Sequence, residues 1–314
     1  GDNVFVCSIN GNFDDAQNGV KAIFTNSVLA EKLEQHNMMF SSANSINWGR
    51  LVPQIVYYIS AYCELAAEGT VAMGEKINIV VPTGNFGNIL AAYYAKEMGL
   101  PVHKLICASN ANNVLTEFLQ TGVYNRKRDF YTTLSPSMDI LISSNLERLL
   151  YSLSGKDDEY VKQLMASLAN TGTYEVRADM KAKITALFAA GCCDDDGTRE
   201  TIVETFHALH YLCDTHTAVG LHVFKNYRKI AQDLTPAVIA STASPFKFSA
   251  SVLSALKPAG AQDENEFAML EELGTLTGQK CPAQLAGLKT KPVRFKNRCT
   301  QDSMKRVVLE LLDL

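Results

Sequence analysis

The 314-residue sequence has no apolar run approaching the roughly 20 residues that a membrane-spanning helix needs, and no charged-then-apolar segment at its start. We therefore read a cytoplasmic protein with no membrane partner. Positive charge is also scarce in clustered form. Beyond Arg126-Lys127-Arg128 there is no block rich in lysine and arginine, and the 29 basic residues against 33 acidic ones leave a net charge of −4. Such a surface offers no electrostatic footprint for nucleic acid or an anionic bilayer. No Cys-x-x-Cys pair exists among the eight cysteines, Cys7, Cys63, Cys107, Cys192, Cys193, Cys213, Cys281 and Cys299. Structural zinc usually draws its ligands from closely spaced pairs, so Cys192-Cys193 with the following aspartates makes a poor metal site, and no metal is expected. The cysteines read as reduced, mostly buried thiols in a chain too large to rest on disulfides.

What is present describes a folded enzyme-sized chain. With 47% hydrophobic and 20% charged residues it is too apolar for disorder and long enough for a sizeable core. Residues 3–9 form an apolar strand pattern that opens abruptly, followed by the turn Asn10-Gly11-Asn12 and a helical pattern from Phe13 to Leu33. A second helical pattern runs from Leu51 to Ala67, with Asn47 or a neighbour as its cap. The clearest unit is Ile77 to Pro82, a short β-branched run, then Thr83-Gly84-Asn85-Phe86-Gly87-Asn88, then a helix from Ile89 to Met98. A strand from Lys104 to Ala108 completes a βαβ unit. The implied fold class is α/β, an open, mainly parallel twisted sheet with helices on both faces. A polar stretch from Ser154 to Glu159 introduces helical segments to about Ala190. Cys213 to Gly220 reads as a loop between two helices, and Ala237 to Thr242 as a third buried strand. Residues 260–314 read as a weakly patterned tail ending in a helix from Ser303 to Leu311.

Two places in this pattern suit a ligand. Glycines directly after a strand and opening a helix present amide N–H groups and the positive end of the helix dipole to an anion. Gly84 to Asn88 has that context, although Gly-x-x-Gly is neither the dinucleotide fingerprint nor a P-loop. One bound phosphate and a ligand-free tight turn remain equal readings on spacing alone. The second place is Ser241-Thr242-Ala243-Ser244-Pro245 at a strand's carboxyl end, where open parallel sheets take ligands. Its plain alternative is a turn in which Ser244 caps the next helix. His216, close to Asp214, has the make-up of an oriented general base, but a structural histidine is the more common outcome in a loop.

Five blocks in order carry a resemblance. They are Phe40-Ser41-Ser42-Ala43-Asn44-Ser45-Ile46-Asn47-x-x-Arg50, Val81-Pro82-Thr83-Gly84-Asn85-Phe86-Gly87-Asn88, Ser135-Pro136-Ser137-Met138-Asp139-Ile140, Asp214-x-His216-Thr217-Ala218-Val219-Gly220, and Ser241-Thr242-Ala243-Ser244-Pro245-x-Lys247-Phe248. Together with Asn10 to Gln17 they make the sequence resemble threonine synthase. The resemblance implies a fold type II pyridoxal phosphate enzyme that converts O-phospho-L-homoserine and water to L-threonine and phosphate. It implies that Gly84, Asn85, Phe86, Gly87 and Asn88 cradle the phosphate of pyridoxal 5'-phosphate and that Thr242 hydrogen-bonds its pyridine nitrogen. Ser42, Asn44, Ser45, Asn47 and Arg50 would lie at the substrate, with Arg50 on its phosphate. Residues 1–39 would then be the remnant of a smaller mobile domain, the first domain being incomplete. Residues 40–259 would be the larger cofactor-binding domain, with a helical insertion near 155–190, and 260–314 a tail. The family's Pro-Thr-x-Ala-Phe-Lys-Asp segment, whose lysine forms the Schiff base, is not in this sequence. The catalytic lysine is therefore unknown here, and the chain alone is expected to be inactive, with apolar surface exposed along residues 3–9. Other readings are a non-catalytic phosphate-ligand-binding relative and another fold type II lyase. A homodimer is compatible with either.

Overall fold

The computed structural model describes residues 3–11, 13–257 and 265–314. Asn12 of the expected turn, and residues 258–264, where the tail was expected to begin, lie outside the described residues. In chain order the elements are β1 Ser8–Ile9, α1 Phe13–Phe24, α2 Ser27–Gln35, α3 Trp48–Ala67, β2 Ile77–Pro82, α4 Gly87–Glu97, β3 Val102–Ser109, α5 Val114–Thr121 and β4 Val123–Asn125. They continue as α6 Leu146–Leu153, α7 Asp158–Thr171, β5 Thr173–Glu175, α8 Ala178–Leu187, β6 Phe188–Cys192, α9 Asp195–Leu209, α10 Thr215–Ala231 and β7 Ala237–Ile239. The last are α11 Ser249–Leu256, α12 Glu266–Thr277, α13 Ala283–Ala286, β8 Arg298–Cys299 and α14 Met304–Leu311.

The chain divides into two compact units, one of residues 1–42 with 287–314 and one of residues 43–286. In the first, β1 pairs in parallel with β8, and Ile23, Leu29, Cys299 and Met304 form a small core. Only Ser8 and Ile9 of the expected seven-residue strand are paired, because β8 supplies only two partner residues. Val4, Phe5 and Val6 are each about half exposed. The single helix expected from Phe13 to Leu33 is two, broken where Asn26 leaves helical geometry to cap α2 through the Leu29 amide at 2.9 Å. The expected 260–314 tail is split between the units. Met269, Leu270 and Leu273 of α12 are buried with Ile202 and Phe246 in the larger unit, whereas 287–314 belongs to the smaller.

The larger unit is built on a four-stranded parallel sheet in the order β6-β3-β2-β7. All six residues of β2 are buried, as a strand covered on both faces requires. Ile77, Ile79 and Val81 enter a core shared with α3 and α4, while Val80 joins Ile106, Val219 and Val223 on the opposite face. The alternation follows from the two-residue period of a strand, and each buried aliphatic side chain contributes about 1.5–3 kcal/mol. The first half of β6 falls in the run of helical segments expected to about Ala190. The strand's sequence, Phe-Ala-Ala-Gly-Cys, has no β-branched residue, so only pairing with Leu105 to Ser109 reveals it. From β2 the chain winds through α4 to β3 and on to β6, then returns to lay β7 on β2's other edge. The order therefore reverses at β2, and the crevice at the carboxyl ends of β2 and β7 is where such sheets take ligands.

Candidate functional site

The turn after β2 is shaped by contacts that glycine alone permits. A Cβ on Gly84 would lie 2.6 Å from the carbonyl oxygen of Ser137 and 3.2 Å from Met138 Cα, so the two backbones touch there. Phe86 has a left-handed backbone, φ 63°, and its side chain is fully buried, which anchors the turn in the core beneath it. The Phe86 carbonyl accepts the first helical bond, from the Leu90 amide at 3.1 Å. The amides of Gly87, Asn88 and Ile89 thus precede the first intrahelical acceptor and are the donors that an anion would use.

A second loop, residues 135–145, braces this turn. The buried side chain of Asn145 donates from Nδ2 to the Asn85 carbonyl at 2.9 Å and to the Ser45 carbonyl at 3.1 Å, and its Oδ1 accepts from Arg148 at 2.7 Å. Ser143 Oγ donates to the Gly84 carbonyl at 3.3 Å, and Ser144 Oγ to Asn85 Oδ1 at 3.2 Å. Asn88 Oδ1 accepts from the phenol of Tyr58, whose acidity burial pushes well below that of an ordinary tyrosine, with Tyr57 adding to the effect. The buried carboxylate of Asp139 accepts from Asn110 at 2.7 Å, Asn112 at 3.0 Å and Thr133 Oγ1 at 2.7 Å, which fixes the start of the bracing loop.

The two ligand candidates meet in space. A cleft of about 290 Å³ is lined by Tyr57, Tyr58 and Asn88 on one side and by Val238, Ala240, Ser241 and Thr242 on the other. Thr242 is exposed to this cleft, and its hydroxyl has no hydrogen-bond partner among the described residues. Ser244 caps the turn that follows by accepting from the Phe246 amide at 3.3 Å, so the capping reading of this segment and the ligand reading hold for different residues. A second hollow, of about 330 Å³ beside Trp48 and Arg148, includes no residue of either candidate block.

Of the expected substrate residues, Asn47 caps α3 by accepting from the Gly49 amide at 2.7 Å. Asn44 closes a turn onto the Ile46 amide at 3.1 Å, and Arg50 donates to the Ala43 carbonyl. Ser45 reaches the brace, with its hydroxyl 3.4 Å from that of Ser144. Ser42 falls in the smaller unit. His216 sits at the start of α10, not in a loop, and is 3% exposed. Its Nδ1 is 3.1 Å from Asp214 Oδ1 and its Nε2 accepts from the Ser137 amide at 3.2 Å, so both ring nitrogens are engaged and neither is available as a base. Tyr58 and Asn145 escaped the sequence reading, because a tyrosine inside an amphipathic helix and a lone asparagine before another carry no local signal. Among the described residues no cluster of three or more histidine, cysteine or acidic side chains could hold a metal ion, and no helix is long and apolar enough to cross a membrane.

A parallel sheet with a glycine turn and a hydroxyl-bearing strand end at its crevice is the arrangement of the fold type II pyridoxal phosphate enzymes, the class of the solved structures that this chain matches. Solved structures carry the same fold: a threonine synthase from Brucella melitensis with the cofactor bound matches with a TM-score of 0.79 and 35% identity over 98% of this chain and 60% of that one. Residues 217–308 match the family described as threonine synthase, C-terminal. The threonine synthase of Saccharomyces cerevisiae is 36% identical over 99% of this chain and 60% of its own length. Threonine synthase-like 1 of Homo sapiens is 41% identical over 82% of this chain and 34% of its own length. The chain is a relative of the threonine synthases, and it spans between a third and three-fifths of the length of these proteins.

Proposed function

We propose that the larger unit binds pyridoxal 5'-phosphate, with its phosphate on the turn from Gly84 to Asn88 and its pyridine nitrogen at Thr242. The observation that carries this is a cleft that Asn88 and Thr242 both line. The residues suit the group: amides without intrahelical acceptors meet the phosphate without a positive side chain, and the unpartnered hydroxyl of Thr242 meets a ring nitrogen. Bound there, the cofactor supplies an electron sink for carbanions at the substrate's α and β carbons. Thr242, being neutral, holds the ring without forcing its full protonation. Asn88 is fixed by Tyr58, and Asn85 by Ser144, so the cradle is ordered before ligand arrives.

The reading extends to the whole protein's activity, conversion of O-phospho-L-homoserine and water to L-threonine and phosphate. Ser42, Asn44, Ser45, Asn47 and Arg50 serve the substrate in that reading. The guanidinium of Arg50, exposed beside the Ala43 carbonyl, would turn to a phosphate ester. A second reading, a phosphate-ligand-binding relative without turnover, is favoured by the absence of lysine from the cleft's lining among the described residues.

One experiment separates them. The protein is incubated with pyridoxal phosphate, reduced with borohydride and weighed intact, and phosphate release from O-phosphohomoserine is followed in parallel. Cofactor binding, one trapped cofactor and phosphate release support the synthase. Binding without trapping or release supports the second reading. A chain that does not bind pyridoxal phosphate overturns both.

A further inference from the structure

The two halves of the cleft come from distant parts of the chain, and one buried cluster bonds Ser241 in one half and, in the other direction, Ser137, which packs against the turn at Gly84. Asp214 is fully buried before α10. Its Oδ1 accepts from the His216 amide at 2.8 Å and the Thr217 amide at 3.4 Å and lies 3.1 Å from His216 Nδ1, while Oδ2 accepts from the Thr217 hydroxyl. That arrangement fixes the proton of His216 on Nδ1, since the carboxylate only accepts, and leaves Nε2 as an acceptor. Nε2 takes the Ser137 amide at 3.2 Å. Ser137 is the residue whose carbonyl stands 2.6 Å from where a Cβ on Gly84 would be. On the other side, the Thr217 hydroxyl lies 3.3 Å from Ser241 Oγ, next to Thr242, and Ser241 is held a second time by the Tyr211 hydroxyl at 3.0 Å.

We infer that Asp214, His216 and Thr217 are positioning residues that set the spacing between the phosphate turn at Gly84 and the ring-nitrogen end at Thr242. His216 acts on the phosphate side through Ser137, and Thr217 on the ring side through Ser241. Asp214 orients both. None of the three lines the cleft, so they act through other residues and are not catalytic. A phosphate site and a ring site on separate loops bind one rigid ligand tightly only when their separation is fixed in advance, because misplacement by about 1 Å loses much of the benefit. The cluster gives that fixed separation, being buried and attached to both loops from one helix start.

The inference rests on the proposed cofactor reading, and paired ligands test the two apart. Pyridoxal phosphate and pyridoxal, which lacks the phosphate, are titrated calorimetrically into the wild-type protein and four variants. His216→Phe removes the acceptor for the Ser137 amide, whereas His216→Gln can offer a side-chain oxygen near the Nε2 position. Thr217→Val removes the hydroxyl and Thr217→Ser keeps it. His216→Phe is expected to weaken pyridoxal phosphate by about tenfold, the size of one lost hydrogen bond, while pyridoxal binding changes less than about twofold. His216→Gln restores most of the loss. Thr217→Val is expected to weaken both ligands alike, with recovery in Thr217→Ser. A merely structural role would lower stability without this ligand-selective split. Equal losses for both ligands in His216→Phe, or unchanged affinity in both Phe and Val variants, overturn the inference while leaving the cofactor reading intact. If His216→Phe does not fold, His216→Ala, which also lacks the acceptor for the Ser137 amide, takes its place and must show the same loss for pyridoxal phosphate over pyridoxal, while the ratio in Thr217→Val must stay at the wild-type value. Failure of the wild-type protein to bind pyridoxal phosphate overturns the cofactor reading and this inference with it.

Discussion

Replacing Gly84 by alanine tests the geometry of the turn after β2 directly. The added Cβ would stand 2.6 Å from the Ser137 carbonyl oxygen, roughly 0.7 Å inside a close carbon-to-oxygen contact of about 3.3 Å. The second neighbour, Met138 Cα at 3.2 Å, is also backbone, so no side-chain rotation relieves the clash. Nor can the loop yield freely: the Ser137 amide is bonded to His216, the Met138 amide to the Ser135 carbonyl and the Asp139 amide to the Pro136 carbonyl. Overpacking of this kind costs about 1–3 kcal/mol. Gly87 is the built-in control, because its Cβ would meet only Asn145 Nδ2 at 3.5 Å, an ordinary contact, at the first position of α4. Urea unfolding should show Gly84→Ala destabilised by about 1–3 kcal/mol and Gly87→Ala changed by less than about 0.5 kcal/mol. Titration with pyridoxal phosphate should show an affinity loss of about tenfold or more for Gly84→Ala, since a displacement worth ~1.4 kcal/mol of binding suffices. If Gly84→Ala were as stable as wild type and bound as tightly, the close approach of the two loops would be refuted.

Asn145→Leu should lower stability by about 2–4 kcal/mol in the same unfolding assay, because it strands the carbonyls of Asn85 and Ser45 and removes one of the acceptors of Arg148, which keeps the Ile46 carbonyl. Asp139→Leu is expected to cost about 1–3 kcal/mol, because the Thr133 amide loses its acceptor while Asn110 and Asn112 keep their bonds to Ser135 and Tyr131; a change below about 0.5 kcal/mol would contradict the brace. Burial alone would raise the Asp214 carboxyl, but hydrogen bonds from His216 and Thr217 outweigh it and hold it below the usual carboxylate range. A group more acidic folded than unfolded stabilises above its unfolded value of about 3.9 and loses that contribution as pH falls through the lower folded value. Stability measured from pH 6 downward should therefore fall less steeply below about pH 4 in Asp214→Asn than in wild type. Thiol labelling under native conditions should modify the exposed Cys63 and Cys192 first. Cys107, Cys193 and Cys213, whose thiols burial pushes up to about 12, should follow only on unfolding.

The sequence by itself determined the βαβ unit around Gly84, because β-branched residues, a glycine turn and a helical period are local signals that burial on both faces of the sheet reinforces. It narrowed the cap of the helix after residue 47 to Asn47 or a neighbour, and the structure puts it at Asn47. The tertiary structure decided everything that depends on partners distant in the chain. The strand β6 exists because β3 offers it an edge, not because Phe-Ala-Ala-Gly-Cys prefers to be extended. His216 changed from a possible base to a buried brace because Ser137, 79 residues away, supplies the donor that occupies its second nitrogen. Asn88 and Thr242 line one cleft only through the placement of β7 beside β2, which no spacing along the chain encodes.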